Sequence, residues 1–490
     1  MPVDLQLFLL KLIPLIFVFC FGACIGSLMN VLVYRLPLGM GVVTQPSHCP
    51  KCNTRLSWRE NIPVLGWLLL RGKCRFCKAR ISLEYPLVEF AVAVMFVLVW
   101  LQLYWIPGGN GLLAQFAPDW ARSGWEMTWP IYAIVVLLFS GLLASTIIDA
   151  RTFTIPLQIP WAVTVIGVVV HTAWAAVVQW RWGSLTSAAP GSHWSISTPH
   201  AWPFPSSLLG VPADVDTSGI WWWIGVAIGG MAGLGLSCLM LKLGWIRRSM
   251  DDYEQWEEAE LARQAAVAAD PAAKQDPNRV PIDSETGLPA DPTQLWTLYP
   301  RARREMVKEL AFLAPIVVCA CLLGMLLFKL NYTPLPPLSV EQIQAAAAQG
   351  LTTFRWSQTA YLPPFWLIVL SGSLLGYLIV GGVLWFVRIA GTLGFGKEAM
   401  GMGDVHLMAA VGACLGWIDG TLAFFLSAPV ALGGWVVGWA IARLGGSKKG
   451  TTLPFGPWLS IATVLVFVLK PLIELGLTAL VNAKPPVNLP

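Results

Sequence analysis

The chain has 490 residues, of which 56% are apolar and only 12% charged. Soluble proteins carry about 25% charged and about 45–50% apolar residues, so this composition excludes a soluble enzyme and a disordered protein. The net charge of +5 is too small and too scattered for a nucleic-acid binder.

The apolar excess is gathered into runs long enough to cross about 30 Å of hydrocarbon. Ten spans are predicted, at 6–33, 86–106, 129–149, 158–180, 220–245, 309–330, 363–389, 405–418, 421–442 and 455–481. In lipid each must be a helix, because its backbone N–H and C=O groups have to be satisfied within the segment. The expected fold is therefore an all-α polytopic membrane protein with about ten transmembrane helices. The eighth run is short, which suits a tilted or partly interfacial course. The first lacks a basic n-region and an A-x-A site, so it reads as a retained helix rather than a signal peptide.

Lysine and arginine set the orientation. The loops at 34–85, 150–157, 246–308, 390–404 and 443–454, with Arg388 at a border, hold 24 of the 32 basic residues. The loops of the other side hold five: Arg122, Arg181, Lys329, Arg355 and Lys484. The first set is assigned to the cytoplasm, with both termini outside. The expected organisation is a first helix (1–33), a small cytoplasmic domain (34–85), three spans (86–180), an insert with two spans and an acidic loop (181–362), and the remaining spans (363–490).

In the 34–85 loop, Cys49-Pro-Lys-Cys52 and Cys74-Arg-Phe-Cys77 form two C-x-x-C hooks. Each hook turns two thiolates toward one ion, and two hooks complete a tetrahedron. Redox dithiols are the competing reading, but the loop is assigned to a reducing compartment. The loop is too short and polar to fold by apolar burial alone, and a structural Zn2+ held by four protein ligands supplies the missing stabilisation. His48, beside the first hook, reads as a surface residue. The later loop is acidic: 251–291 contains 11 of the chain's 27 acidic residues. Glu254 to Ala269 predicts a short charged helix in a loop without a core of its own. Gly-rich stretches at 224–240 and 368–383 suit close helix packing.

Ionisable residues at membrane depth are costly and usually functional. Asp149 closes the third span, just before Ile155-Pro156, and Asp404 opens the eighth, in Gly401-Met402-Gly403-Asp404. The charge count assigns both to the same membrane face. Two carboxylates sharing a low-dielectric site titrate as a unit, one drawing a proton from water while the other polarises a carbonyl. The simpler alternative makes Asp404 a helix N-cap and Asp149 a partner for Arg151. Asp419 reads as a residue of a short turn, Gly416 to Gly420, and Glu89 as a partner for the basic loop.

Together these motifs resemble the bacterial type IV prepilin peptidases, membrane aspartyl proteases of the G-x-G-D type. The first span carries Gly22-x-x-x-Gly26-Ser27 with Asn30, Tyr34, Arg35 and Pro37. The two hooks bracket Asn61-Ile62-Pro63 and are followed by Tyr85-Pro86 and Glu89. Asp149 with Ile155-Pro156, then Gly401 to Asp404, then Pro454-Phe455-Gly456-Pro457 complete the order. The resemblance implies catalytic roles for Asp149 and Asp404, and metal ligation by Cys49, Cys52, Cys74 and Cys77. It implies removal of a basic leader from type IV prepilins or type II secretion pseudopilins at the inner bacterial membrane. It also implies N-methylation of the new terminus with S-adenosylmethionine, although no dinucleotide-type glycine motif marks where that donor binds.

Three features depart from the family's pattern: His406 stands where a Lys is common, Leu157 where an acid often follows Ile-Pro, and the insert has no counterpart among the usual eight spans. A preflagellin-type protease would lack the zinc loop. A proton-coupled transporter using the two aspartates would carry them nearer the bilayer midplane in repeated halves.

Overall fold

The computed structural model describes residues 3–42, 46–49, 51–105, 121, 124–182, 217–269, 298–331, 363–445 and 454–481. Residues 270–297 of the expected acidic loop lie outside the described residues; 251–269, with six of the eleven acidic residues, lie within them. Arg122, Arg355 and Lys484 also lie outside.

Twelve α-helices and one π-helical turn (Leu101–Trp105) are seen among the described residues, and no strand beyond two isolated bridges. The α-helices are α1 (Val3–Arg35), α2 (Leu65–Leu69), α3 (Glu84–Trp100), α4 (Trp125–Thr152), α5 (Gln158–Trp182), α6 (Thr217–Lys242), α7 (Tyr253–Ala269), α8 (Ala302–Asn331), α9 (Phe365–Phe395), α10 (Met402–Leu415), α11 (Trp417–Gly445) and α12 (Gly456–Val481). Nine of these are long and apolar enough to cross a membrane, and the chain is a multi-pass membrane protein. Each expected span meets one helix. The eighth, α10, has 14 residues and rises only about 21 Å at 1.5 Å per residue. It tolerates that shortness because it is sheathed in protein: Val405 and every residue from Leu407 to Leu415 are buried. Helix α8 begins earlier than its apolar run, because Ala302 to Lys308 continues the helix as a charged base. In α12 the backbone breaks helical geometry at Leu469, two residues before Pro471, where proline removes an i→i−4 bond and kinks the helix.

The chain divides into two compact units, Met1–Ile166 with Leu422–Val436 and Pro454–Leu489, and Gly167–Thr421 with Val437–Leu453. In the first, α1 lies against α3 through the glycine pair of the first-span motif. A Cβ on Gly26 would come 2.6 Å from Glu89 Cα, and one on Gly22 would come 2.9 Å from Ala93 Cα, so small residues four apart let two backbones touch. Asn30 Nδ2 donates to Tyr85 O (3.0 Å) at the end of this contact. Helix α4 packs on α12, with Phe139 edge-on to Phe467 at 5.4 Å between ring centres.

In the second unit α6 and α8 meet along Gly225, Gly229 and Gly233. A Cβ at any of the three would come within 2.5 Å of a backbone oxygen of α8. One turn on, Ser237 Oγ donates to Phe312 O at 2.6 Å. Helix α9 meets α10 in the same manner: a Cβ on Gly376 would overlap Gly412 O, and Ser373 Oγ donates to Ala413 O (2.6 Å). Both Gly-rich stretches singled out in the sequence are thus close-packing faces.

Two expectations need correction. The described part of the insert has a small centre of its own: the rings of Tyr253, Trp256 and Tyr299 meet at 5.3–5.7 Å. Asp252 accepts from Tyr299 Oη (2.5 Å) and pairs with Arg301, while Glu305 accepts the Met250 N–H (2.8 Å) and pairs with Lys308. A few aromatics interleaved with charge were enough, where composition suggested none. Asp419 is not in an open turn. Gly416, at φ +90°, joins α10 directly to α11, so Asp419 falls in the buried first turn of α11.

Candidate functional site

The metal-type cluster is built by two copies of one local fold. In the first hook Asn53 N–H donates to Cys49 O, Cys49 N–H to Thr54 O, and His48 bridges Arg55. In the second, Lys78 N–H donates to Cys74 O, Cys74 N–H to Ala79 O, and Lys73 bridges Arg80. Asn53 and Lys78, each one residue past the second cysteine, take positive φ of 55° and 58°. Corresponding positions are thus 25 residues apart in the chain, a repeat that sequence reasoning missed although the signal was there in the paired Cys-x-x-Cys spacing. His48 serves the hook through its backbone, and its Nδ1 meets Pro46 O at 3.1 Å.

The four sulfurs lie within 4.8 Å of one another, with Cys49 to Cys77 and Cys52 to Cys74 both at 3.9 Å. A Zn–S bond of about 2.3 Å implies tetrahedron edges of about 3.8 Å, so the donor set and its spacing fit a tetrahedral ion. The electrostatics favour the thiolate at Cys52 and Cys74. Hydrogen bonds from Thr54 bring Cys52 down to about 6. Backbone N–H groups of Cys77 and Phe76 lower Cys74. Cys77 is pulled down by the Ala79 backbone, but burial and its three sulfur neighbours outweigh this and push it up to about 11.

The cluster stands on the ends of α1 and α3. Between them is a cavity of about 410 Å³, lined among others by Asn30, Arg35, Glu60, Trp67 and Glu89. Glu89 meets the basic loop as expected, through the loop's backbone. It accepts the Val64 backbone N–H at 2.6 Å. Val64 is a β-branched residue at φ +61°, a conformation that persists only where the surroundings enforce it. Glu89 thus ties the loop to the membrane helix. Arg35, buried in the same region, donates to Gly41 O and Val42 O at 3.2 and 3.3 Å.

Asp149 lies in the last turn of α4, with 6% of its surface exposed. The helix closes behind it at Phe153, whose left-handed backbone lets its N–H return to Asp149 O (2.9 Å). The carboxylate Oδ2 accepts the N–H of Gly456 at 3.1 Å, so the Pro454-Phe-Gly-Pro457 motif is where the chain touches Asp149. Arg151 does not partner Asp149; its carboxylate partner is Glu84 of α3. Sequence reasoning named Gly456 only as part of a motif and missed its contact with Asp149.

Asp404 is half-buried in the first turn of α10, the end of a helix where negative charge is favoured. It is not the N-cap. That position is Gly401, and a Cβ there would sit 3.6 Å from Asp404 Oδ2. His406 follows, with Nδ1 3.4 Å from Tyr377 Oη on α9. Asp149 belongs to the first unit and Asp404 to the second.

Residues 20–103 match the family described as Bacterial Peptidase A24 N-terminal domain. The chain is 47% identical over 81 residues to the Prepilin leader peptidase/N-methyltransferase of Myxococcus xanthus, covering 16% of this chain and 24% of that protein. It is 37% identical over 136 residues to the protein of the same name from Klebsiella pneumoniae, covering 26% and 60%. It is 33% identical over 146 residues to the Type 4 prepilin-like proteins leader peptide-processing enzyme of Escherichia coli O78:H11, covering 26% and 46%. The matches therefore span less than two thirds of these relatives' length. No solved structure is significantly similar. The resemblance to the type IV prepilin peptidases drawn from the motifs is shown independently by these matches.

Proposed function

We propose that the chain is a membrane aspartyl endopeptidase that removes the basic leader from type IV prepilins or type II secretion pseudopilins. It works at the cytoplasmic face of the bacterial inner membrane. A second activity methylates the new N-terminal amine with S-adenosylmethionine. The observation that carries the reading is the setting of Asp149: a carboxylate at a helix end, almost out of solvent, held by the backbone of a second motif, Gly456.

Asp149 and Asp404 act as the catalytic pair, brought to one membrane face by the charge alternation of the loops. The ionised carboxylate takes a proton from water, whose oxygen attacks the scissile carbonyl. The protonated one gives its proton to the carbonyl oxygen; the first then passes the proton it took to the leaving nitrogen, and the second recovers one from the diol as the C–N bond breaks. Gly401 and Gly403 leave the backbone beside Asp404 uncovered, so an extended substrate strand can approach. The basic leader stays in water while the apolar pilin stem remains in the bilayer. Cys49, Cys52, Cys74 and Cys77 hold a Zn2+ that crosslinks the loop, and the ion's role there is structural. S-adenosylmethionine supplies the methyl group, and the cavity above α1 and α3 offers room for a molecule of its size.

The test is co-expression of a prepilin with the wild type, Asp149→Asn and Asp404→Asn, followed by gel mobility of the pilin. Both variants should leave the leader attached; cleavage persisting in both would refute the aspartyl mechanism. Mass spectrometry of the mature N-terminus decides the methylation, since an unmodified amine removes that half of the proposal.

A further inference from the structure

Two charges in the second unit are almost wholly withdrawn from solvent: Glu309 on α8 and Arg388 on α9, each with 3% of its surface exposed. Arg388 Nη2 meets Glu309 Oε1 at 3.2 Å and Nε meets Oε2 at 3.4 Å. Trp385 Nε1 donates to the same Oε2 at 2.7 Å, so both carboxylate oxygens are satisfied and the guanidinium is held on one edge. Its other edge points forward along the chain. Arg388 Nη1 donates to Glu398 Oε1 (2.5 Å) and to the carbonyl oxygen of Met400.

Met400 immediately precedes Gly401-Met402-Gly403-Asp404. A segment with two glycines in four residues has little conformational preference of its own, so its position has to come from outside. The base of α8 supplies a second hold. Arg303 donates from Nε to Leu393 O (3.0 Å) and from Nη2 to Gly394 O (3.2 Å), the last carbonyls of α9. From within, Thr392 Oγ1 accepts the Ala399 N–H at 3.2 Å. A buried ion pair is a poor source of net stability, and its best-attested use is to specify one arrangement over others.

We propose that Glu309 is a positioning residue for the G-x-G-D segment: through Arg388 it fixes Glu398 and the Met400 carbonyl, and thereby the turn from which Asp404 is presented. The inserted helix α8 thus serves the peptidase site rather than merely lengthening the chain. The role of the turn in peptide cleavage rests on the proposed function above; the fixing of the turn does not.

Two measurements on the full chain in detergent separate these. One is amide hydrogen exchange over 396–404, and the other is kcat and KM for leader removal from a purified prepilin, in wild type, Glu309→Ala and Glu309→Gln. In Glu309→Ala, exchange at 398–402 should quicken at least about tenfold, since the guanidinium loses its anchor. A turn displaced by about 1 Å should lower kcat by roughly 100-fold with KM within about twofold. Glu309→Gln keeps one acceptor oxygen, turns an N–H donor toward the remaining partner and loses the charge, and should lie between the two. If Glu309→Ala does not fold, Glu309→Gln decides, with a smaller change in the same direction. Unchanged exchange, or unchanged kcat in a folded variant that exchanges faster, overturns the proposal. A fall in melting temperature with both unchanged marks Glu309 as structural only. If the wild type leaves the prepilin uncleaved, the peptidase reading fails on its own, and exchange still decides whether Glu309 fixes the turn.

Discussion

Gly456→Ala tests whether the observed position of Asp149 is its working position. A Cβ on Gly456 would lie 2.7 Å from Asp149 Oδ2, about 0.7 Å short of ordinary contact. The intruded atom is the far end of a side chain, so the fold can yield cheaply by swinging the carboxylate aside. The Gly456 N–H that donates to Asp149 is retained in alanine, so no hydrogen-bond donor is lost. Alanine at the start of α12 also favours the helix over glycine, by up to about 1 kcal/mol. The perturbation therefore acts on geometry alone. A misplacement of about 1 Å at a reacting group costs on the order of 100-fold, so 0.7 Å should cost roughly 10- to 100-fold in kcat. In activation free energy that is about 1.4–2.7 kcal/mol. Initial rates of leader removal measure it, with thermal unfolding alongside. Gly476→Ala, in the same helix with no neighbouring heavy atom within 4 Å of its Cβ, should keep kcat within about twofold. Wild-type kcat in Gly456→Ala would refute the reasoning, because the carboxylate would then work equally well from a displaced position.

Other expected outcomes concern the fold and the loop. Gly376→Ala drives a Cβ into the Gly412 carbonyl, so α9 and α10 must separate; overpacking of this kind costs about 1–3 kcal/mol and should appear as a lower melting temperature in detergent. Glu89→Ala leaves the half-buried Val64 N–H without its acceptor, a loss of about 1 kcal/mol, and limited proteolysis within 51–83 should quicken. Zinc should be lost as pH falls. The metal binds thiolates, Cys52 at about 6 is already ionised at pH 7.5, and Cys77 at about 11 has to release its proton to the ion. Protons therefore compete for the same sulfurs, and transfer of zinc to a chelator should be faster at pH 5.5 than at 7.5; an opposite trend would exclude thiolate ligation.

What the sequence makes legible is whatever repeats locally. Spans show as apolar runs, and the sulfur cluster shows as two hooks whose spacing alone makes their convergence expected. The glycine faces of α1, α6 and α9 show as small residues four apart. Long-range pairings have no such signature. Glu309 and Arg388 are 79 residues apart, and Asp149 and Gly456 are 307 apart; nothing near any of the four marks its partner. Asp419 misleads for the opposite reason. Gly416 and Gly420 around it resemble an open turn, yet one left-handed glycine is enough to join two helices without a loop and bury the residue between them.

The buried carboxylates differ in what holds them, and the difference bears on which of them can do chemistry. Glu305 and Glu309 face Lys308 and Arg388. A carboxylate locked against a cation in low dielectric cannot be removed without stranding its partner. Such a residue is suited to holding structure in one arrangement. Asp149 instead accepts a neutral backbone N–H. Taking up a proton there strands no cation, so both protonation states remain accessible to one carboxyl in one place. A group that must give and receive a proton within each turnover needs that freedom. The same criterion predicts opposite results for amide substitution. Glu309→Gln loses charge from a structural pair and should retain part of its activity, whereas Asp149→Asn keeps the contact with Gly456 and should retain none.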